Sequence, residues 1–375
     1  MTKQYTILFV ARDDGGCGFF RCLQPATFLK RSGLADAVYV LRNPSQEQLM
    51  NADLVILQEN GSPESSAMVK FMTENRIPFM FELDDFVHHI SPHNEAGYMA
   101  WNPSTLFLYR TTENMRKAVG MTLSTNQLAR EYFPYNPNIF VVPNYLDKDK
   151  WDNPIIKRQD EKIRIGWCGG NAHADDLKMI SKVLNKIIKE YKGTVIFETI
   201  GMTRKEFTGV FPMAPTNPES ICPSCGYEGE LHHFPGESLD DYPTVLCSKG
   251  WDIAVAPVID NSFGNCKSDL KVKEYAAAGI PIVASPVVPY REASENGAQI
   301  IFAKTFDEWY TALKDLIEDK IKRDSIIQHN RDWVSKYWIQ DNISNIYEVY
   351  SQVIRSVIPF LGSKEDRLKG KNLVK

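Results

Sequence analysis

The sequence predicts an α/β protein of two parallel-sheet halves of similar length, closed by a run of helices. Three features predict it. Short segments that are apolar almost throughout, such as Tyr5–Ala11 (YTILFVA) and Asp53–Leu57 (DLVIL), recur along the chain, as expected of strands covered on both faces. Helical segments alternate with them, the order of a parallel sheet. The pattern then breaks at a charge-rich stretch, Asp147–Glu161, and restarts at Lys162. A chain of 375 residues suits two domains at roughly 150 residues each.

In the first half, residues 1–150, Tyr5–Ala11 runs into Asp13-Asp14-Gly15-Gly16, a buried strand ending in a glycine loop. Gln24–Ser32 reads as a helix, Ala37–Leu41 and Asp53–Leu57 as strands, Ser65–Asn75 as a helix and Pro78–Leu83 (PFMFEL) as a strand. After a helix-rich stretch come two further strands, Gly120–Ser124 and Ile139–Pro143. The second half, residues 151–340, opens with the strand Lys162–Trp167 (KIRIGW) and the loop Cys168-Gly169-Gly170-Asn171. Asp175–Tyr191 is an amphipathic helix with Leu177, Ile180, Leu184, Ile187 and Ile188 on one stripe. Thr194–Ile200, Trp251–Ala256 and Ile280–Ala284 are its later strands. Two Rossmann-like domains result, with small-molecule sites expected at the carboxyl ends of the strands, in a cleft between the halves. Thr305–Ile358 reads as successive helices, the last of them (residues 341–375) returning toward the first domain, with Leu361–Lys375 a frayed tail.

Composition narrows the class. Forty-three basic against 47 acidic residues give a net charge of −4, which argues against a strongly cationic nucleic-acid or membrane-surface binder, a local basic groove aside. No apolar run reaches about 18 residues, so no transmembrane helix is expected. Met1–Tyr5 lacks the apolar stretch of a signal peptide. Seven cysteines, an odd number in a chain large enough to build its own core, read as reduced thiols in the cytoplasm.

The stretch Trp251–Pro286 carries the most specific chemistry. A buried strand ends at Pro257, a polar loop Asp260–Asn265 follows, and a helix starts near Ser268-Asp269, both good N-cap types. Lys267 lies beside the first turn and Lys271 inside it. A helix N-terminus with two lysines suits phosphate. Glu274, further in, is placed to accept both hydroxyls of a ribose. A solvated helix face with i,i+3 pairing explains the same three residues as well.

Here the sequence resembles the donor-binding region of the family 4 glycosyltransferases, which have the GT-B two-domain fold. The resemblance rests on Ala256-Pro257, Phe263-Gly264, Glu274-Tyr275-Ala276 and Gly279-Ile280-Pro281-Ile282-Val283-Ala284-Ser285. It extends to Met121–Thr125 with Leu128-Ala129, to Val141–Asn144 and to Phe234–Tyr242, in the family's order. The resemblance implies that Glu274 holds the donor ribose. The family's glutamate eight residues upstream is absent, since position 266 is Cys266, and so is its Arg-x4-Lys pair in the loop Cys168–Asp176. A subgroup with Lys-Ser-x-x-Lys-x-x-Glu-Tyr is closer, and it implies that Lys267, Ser268 and Lys271 meet the diphosphate. Asn171 is a further donor-side candidate. In this family the glycine loop Arg12–Arg21 (RDDGGCGFFR) closes over diphosphate and acceptor, which makes Gly16 and Gly18 donor-side candidates and Arg21 an acceptor-side one; a plain turn is the alternative.

Asp84 and Asp85 end the fourth strand. They read as catalytic groups near the reacting hydroxyl, against a Mg²⁺ or Mn²⁺ site or a helix cap; members of this fold generally work without a catalytic metal. His88, His89 and His93 follow with no standard metal spacing and read as a solvated loop. Tyr98 and Trp101, in an aromatic loop-rich region, are acceptor-side candidates. Cys222-Pro223-Ser224-Cys225-Gly226 has the shape of a zinc knuckle, and His232 and His233 would complete a structural zinc site in an insertion near residues 202–233; an unligated thiol pair and a redox pair are the alternatives. The expected function is a retaining transfer of a sugar from a nucleotide-diphosphate donor to a hydroxyl acceptor, a glycan first and a hydroxylated DNA base second. A binding-only relative is the non-enzymatic alternative. A nicotinamide-dependent dehydrogenase is the last, since neither half has the dinucleotide fingerprint.

Overall fold

The structure, a computed structural model, describes residues 4–212 and 230–370 apart from His93, Ile155, Lys157 and Gln159. The chain forms two α/β units, one of Met1–Tyr145, Cys266–Ser268 and Trp338–Lys375, the other of Leu146–Asn265 and Asp269–Tyr337.

The first unit contains β1 (Thr6–Ala11), β2 (Asp36–Leu41), β3 (Leu54–Gln58), β4 (Phe79–Leu83), β5 (Gly120–Leu123) and β6 (Ile139–Val141). They form one parallel sheet in the order β2-β1-β3-β4-β5-β6. β3 and β4 are buried at every position, which is why their sequences show no polar alternation. Ser62 caps the helix Pro63–Glu74 by accepting from the Ser65 N–H, with a proline in the first turn where no donor is needed. Ile7, Phe9 and Ile56 pack into one core with Ile339, Ile343, Ile346 and Tyr350 of the helix Ile339–Leu361. Residues 361–370, expected as part of a frayed tail, are ordered instead. The helix Lys364–Gly370 is tied down by Arg367, which donates to the Ala52 carbonyl at 2.7 Å, and by Lys364, 3.3 Å from Asp53.

The helix expected at Gln24–Ser32 starts earlier. The chain turns helical at Gly16–Gly18, widens into a π turn at Phe19–Leu23, and continues as Gln24–Arg31. Gly18 makes this possible, because a Cβ there would lie 1.9 Å from the Asp13 carbonyl oxygen. The open loop after β1 is therefore only residues 12–15.

The second unit contains β7 (Ile163–Cys168), β8 (Val195–Ile200), β9 (Leu231–Phe234), β10 (Ile253–Ala256), β11 (Ile282–Ala284) and β12 (Ile300–Phe302), parallel in the order β12-β11-β10-β7-β8-β9. β9 and β12 do not stand out in the sequence. The stripe Leu177, Ile180, Leu184 and Ile187 of the helix Ala174–Glu190 is buried against the sheet core. The stretch expected as a linker includes the turn Lys148–Trp151, whose Trp151 is buried.

The strand order of each sheet reverses once. β1 lies between β2 and β3, and β7 lies between β8 and β10, so each unit has a topological switch point where the loops part and leave room for a ligand at the carboxyl ends. Among the described residues no helix is long and apolar enough to cross a membrane.

Candidate functional site

In the first unit the switch point gathers the loop after β1, Glu59 after β3, and Asp84 and Asp85 after β4. Arg12 joins the first two: its guanidinium meets Glu59 at 2.8 Å and Asp13 at 2.7 Å and lies 5.5 Å from the Trp101 ring centre. Glu59 is 3% exposed, and its Oε2 is buried without a hydrogen-bond partner. Burial pushes its carboxyl up to about 8; Arg12 opposes the rise, and Asp85, Asp13 and Asp84 add to it. Glu59 therefore holds its proton to a higher pH than an exposed carboxyl does. Its sequence context, Gln58-Glu59-Asn60-Gly61, holds no motif; the one signal available is a carboxylate at a strand's carboxyl end, the same signal that Asp84 and Asp85 carry.

Lys267 and Ser268 cluster with this unit. Lys267 Nζ is 2.8 Å from Asp85 Oδ1. Asn144 Nδ2 is 3.3 Å from Asp84 Oδ1 and 3.2 Å from Ser268 Oγ. Gly16 has open space where a Cβ would go. Cys17, between the two glycines, faces Asp84, Asp85, Glu59 and Lys267; burial and those carboxylates hold it as a thiol.

Arg21 is enclosed, not presented to a ligand. It sits in the π turn, 3% exposed. It donates to Glu82 Oε1 at 2.7 Å, to the Val142 carbonyl at 2.6 Å and to Asn144 Oδ1 at 2.8 Å. Glu82 also accepts from Thr122, and burial lifts its carboxyl to about 7 against the pull of Arg21. Through Asn144 this buried pair holds Asp84 in place. Trp101 is 4% exposed and packs edge-on to Phe107, while Tyr98 is half-buried on the helix Glu95–Trp101. His88 is not solvated as expected: it lies between Tyr132 and Thr112, at 3.1 and 2.9 Å, and burial lowers it to about 4. His89 stacks on Phe86, and His93 lies outside the described residues.

In the second unit the switch point joins the loop after β7 to the helix Leu270–Ala277. Its N-cap is Asp269, as the residue type predicts, but no side-chain capping bond forms; Asp269 pairs with the buried Lys273 at 2.7 Å instead. Lys271 extends over the end of β7. Its Nζ is 5.2 Å from the Trp167 ring centre and 3.0 Å from where a Gly169 Cβ would be. Gly201, at φ +108, brings its backbone so close to Gly169 that a Cβ would lie 2.8 Å from the Gly169 oxygen; only glycine suits that position. The two loops thus pack backbone to backbone beside Lys271 and the Trp167 ring, while Gly170 next to them has open space where a Cβ would go. Asn171 is exposed and accepts the Thr203 N–H at 2.7 Å, tying the loop after β7 to that after β8.

Glu274 is 6% exposed, which removes the solvated-face alternative. Tyr242 donates to its Oε2 at 3.2 Å. Burial raises the carboxyl to about 7, opposed by Lys271 and by the Tyr242 bond. Cys168 Sγ lies 2.8 Å from the Tyr242 hydroxyl and 3.2 Å from that of Tyr275, and burial holds the thiol near 11.

The structural zinc site finds no support. Among the described residues no group of three or more His, Cys, Asp or Glu side chains is placed to hold a metal. His232 and His233 are successive residues of β9, so they point to opposite faces and cannot share an ion: His232 faces Glu198 at 3.7 Å, while His233 meets Thr199 at 3.1 Å and stacks on Phe207. Cys222 and Cys225 lie outside the described residues.

The sequence matches no family model and no curated protein. Solved structures do resemble it. HepE from Anabaena, solved with UDP and glucose, aligns at TM-score 0.65 and 12% identity over 93% of this chain and 100% of its own. A glycosyltransferase from Rickettsia africae aligns at TM-score 0.61 and 11% identity over 94% of this chain and 99% of its own. A candidate UDP-N-acetylglucosamine 2-epimerase from Listeria monocytogenes aligns at TM-score 0.54 and 10% identity over 92% and 95%. At such identities the likeness is one of fold, and that fold is the two-unit α/β architecture of GT-B proteins.

Proposed function

We propose that the chain is a retaining, family 4-like glycosyltransferase that moves a sugar from a nucleotide-diphosphate donor to a hydroxyl acceptor, a glycan being the first acceptor class to test. The observation that carries this reading is the enclosed Glu274 beside Lys271, at the switch point of the second sheet, next to the glycine loop after β7, where Gly170 has open space at its Cβ position. A buried carboxylate with two acceptor oxygens suits the two hydroxyls of a ribose. The open backbone at Gly170 admits a phosphate group at close range, and Lys271 supplies charge for the diphosphate.

Front-face transfer needs stabilisation of the departing diphosphate and placement of the acceptor, more than covalent help. Lys271 and the N-terminal turn of its helix stabilise the leaving group in this scheme. Asp84, Asp85 and Glu59 orient the acceptor hydroxyl in the first unit. Lys267, paired with Asp85, sets the charge of that acceptor site, a change from its expected place beside the diphosphate. Arg21 acts through Asn144 on Asp84 and touches no substrate.

Calorimetry with UDP, GDP, ADP and CMP on wild type, Lys271→Ala and Glu274→Ala tests the donor site. UDP comes first because the similar HepE was solved with it. One nucleotide is expected to bind wild type, and about tenfold or more of that affinity should vanish in each variant, the range of a lost charged hydrogen bond. No binding by any of them removes the proposal. Product analysis with the matching nucleotide sugar then separates transfer, which needs an acceptor, from epimerisation, which alters the sugar without one. Steep salt dependence of acceptor binding would move DNA ahead of glycans.

A further inference from the structure

Glu274 does not stand alone, and its partner lies on a different element. The helix Tyr242–Ser248 presents the Tyr242 hydroxyl to Glu274 Oε2 at 3.2 Å and to Cys168 Sγ at 2.8 Å. The phenol ring is fixed from behind by Trp151, edge-on with centres 5.7 Å apart. Trp151 is itself 2% exposed. We propose that Tyr242 is a positioning residue of the donor site, which holds the Glu274 carboxylate in its ionised, diol-accepting form and so sets the pH range over which the nucleotide binds. This inference rests on the donor-site reading above.

Hydrogen counting supports the assignment. A phenol has one proton. When that proton goes to Glu274, the oxygen is left to accept from Cys168, whose thiol keeps its proton, because burial pushes it up to about 11, and shares it between Tyr242 at 2.8 Å and the Tyr275 hydroxyl at 3.2 Å. Cys168 is held in turn by Tyr275, whose hydroxyl oxygen accepts the Cys168 N–H at 3.0 Å. The groups facing Glu274 are Lys271 on its own helix, Tyr242, Cys168 at the end of β7, Tyr275 and, more remotely, the buried Tyr290. Lys271 is the one cation among them, and Tyr242 is the one that donates a hydrogen bond to the carboxylate. A carboxylate poised near 7 with a single phenolic donor is sensitive to that donor.

The test is calorimetric titration of wild type and Tyr242→Phe with UDP, with GDP and ADP beside it, from pH 6 to pH 9. The nucleotide's own phosphate titrates alike with both proteins and cancels in the comparison. Wild type is expected to lose affinity as pH falls through about 7. Loss of one hydrogen bond to the charged form should move that midpoint up by about one pH unit. Tyr242→Phe then binds about fivefold more weakly at pH 7 and nearly as well as wild type at pH 9. Weakening by the same factor at every pH, or an unmoved midpoint, overturns the proposal and leaves the donor site intact. Absence of nucleotide binding by wild type overturns both. Should Tyr242→Phe not fold, 3,5-difluorotyrosine placed at position 242 makes a stronger donor of the same shape; the midpoint should move down, and a midpoint that stays overturns the proposal equally.

Discussion

Replacing Arg21 with methionine probes the buried pair that braces the first unit. Arg21 makes three hydrogen bonds, to Glu82, the Val142 carbonyl and Asn144, at 2.6–2.8 Å. The Val142 carbonyl and Asn144 lose their donor in the variant. Two charge-assisted bonds are worth about 1.5–3 kcal/mol each, and relief from burying the guanidinium offsets part of that. A net loss of about 2 kcal/mol is expected at pH 6, where Glu82 carries its proton. The rest depends on pH. Glu82 sits near 7 with Arg21 present, against 4.5 unperturbed, so its folded value is raised and wild type loses stability as pH rises from about 4.5 to 7. Without Arg21 that value climbs further, and the variant goes on losing stability above pH 7, by about 1.36 kcal/mol per unit. At pH 8.5 the penalty should reach about 4 kcal/mol, a large share of the 5–15 kcal/mol typical of a domain. Urea unfolding at pH 6, 7 and 8.5, read by hydrogen exchange of first-unit peptides, isolates this unit from the second. Adding Glu82→Gln removes the titrating group and should flatten the pH dependence. A penalty that is constant or shrinks with rising pH would refute the account of Arg21 as the counter-charge of Glu82.

Other consequences follow from single contacts. Glu59 is raised to about 8 from 4.5, so the folded state holds its proton longer than the unfolded chain. Glu59→Gln should therefore gain stability relative to wild type as pH rises from about 5 to 8, by up to about 4 kcal/mol, and level off above 8; chemical denaturation across that range measures it. Gly166→Ala, in the central strand β7, puts a Cβ 1.8 Å from the Trp251 ring, which is pinned by its bond to Glu198 at 2.8 Å. Overpacking there should cost about 3 kcal/mol, visible as a lowered melting temperature. Arg367→Ala should loosen the C-terminal helix by about 1 kcal/mol through the loss of its bond to the Ala52 carbonyl, raising exchange in residues 364–370 while leaving the second unit unchanged.

Much of the fold is legible in the chain because a parallel strand covered on both faces leaves an unbroken apolar run. β1 and β3 are of that kind apart from one terminal polar residue each, and β4, β7 and β8 come close, interrupted only by the buried Glu82, Arg164 and Glu198-Thr199. β9 and β12 escape notice for opposite reasons. β9 is the four residues Leu-His-His-Phe, where polar side chains mask the strand and invite a metal reading. β12 has three residues and a period too short to detect. The helix after β1 begins on glycines, residues of low helix propensity, which is why its start is misplaced from sequence.

The candidate site divides along the same line. Glu274 and Lys271 lie close together in a recognisable order in the chain, and local spacing is enough to single them out. Glu59, Tyr242 and the Arg21–Glu82 pair obey no local pattern. Their partners are Arg12, Glu274 and Asn144, separated from them by dozens of residues, and they meet because parallel strands bring their carboxyl ends to one edge. Lys267 shows the difference most sharply. Its spacing from Lys271 suggests a shared phosphate, yet its ammonium is held by Asp85. Spacing along a chain dictates which groups share a helix face or a loop. Burial, which strips water from a charge and leaves it to whichever counter-charge packing supplies, settles what each group does.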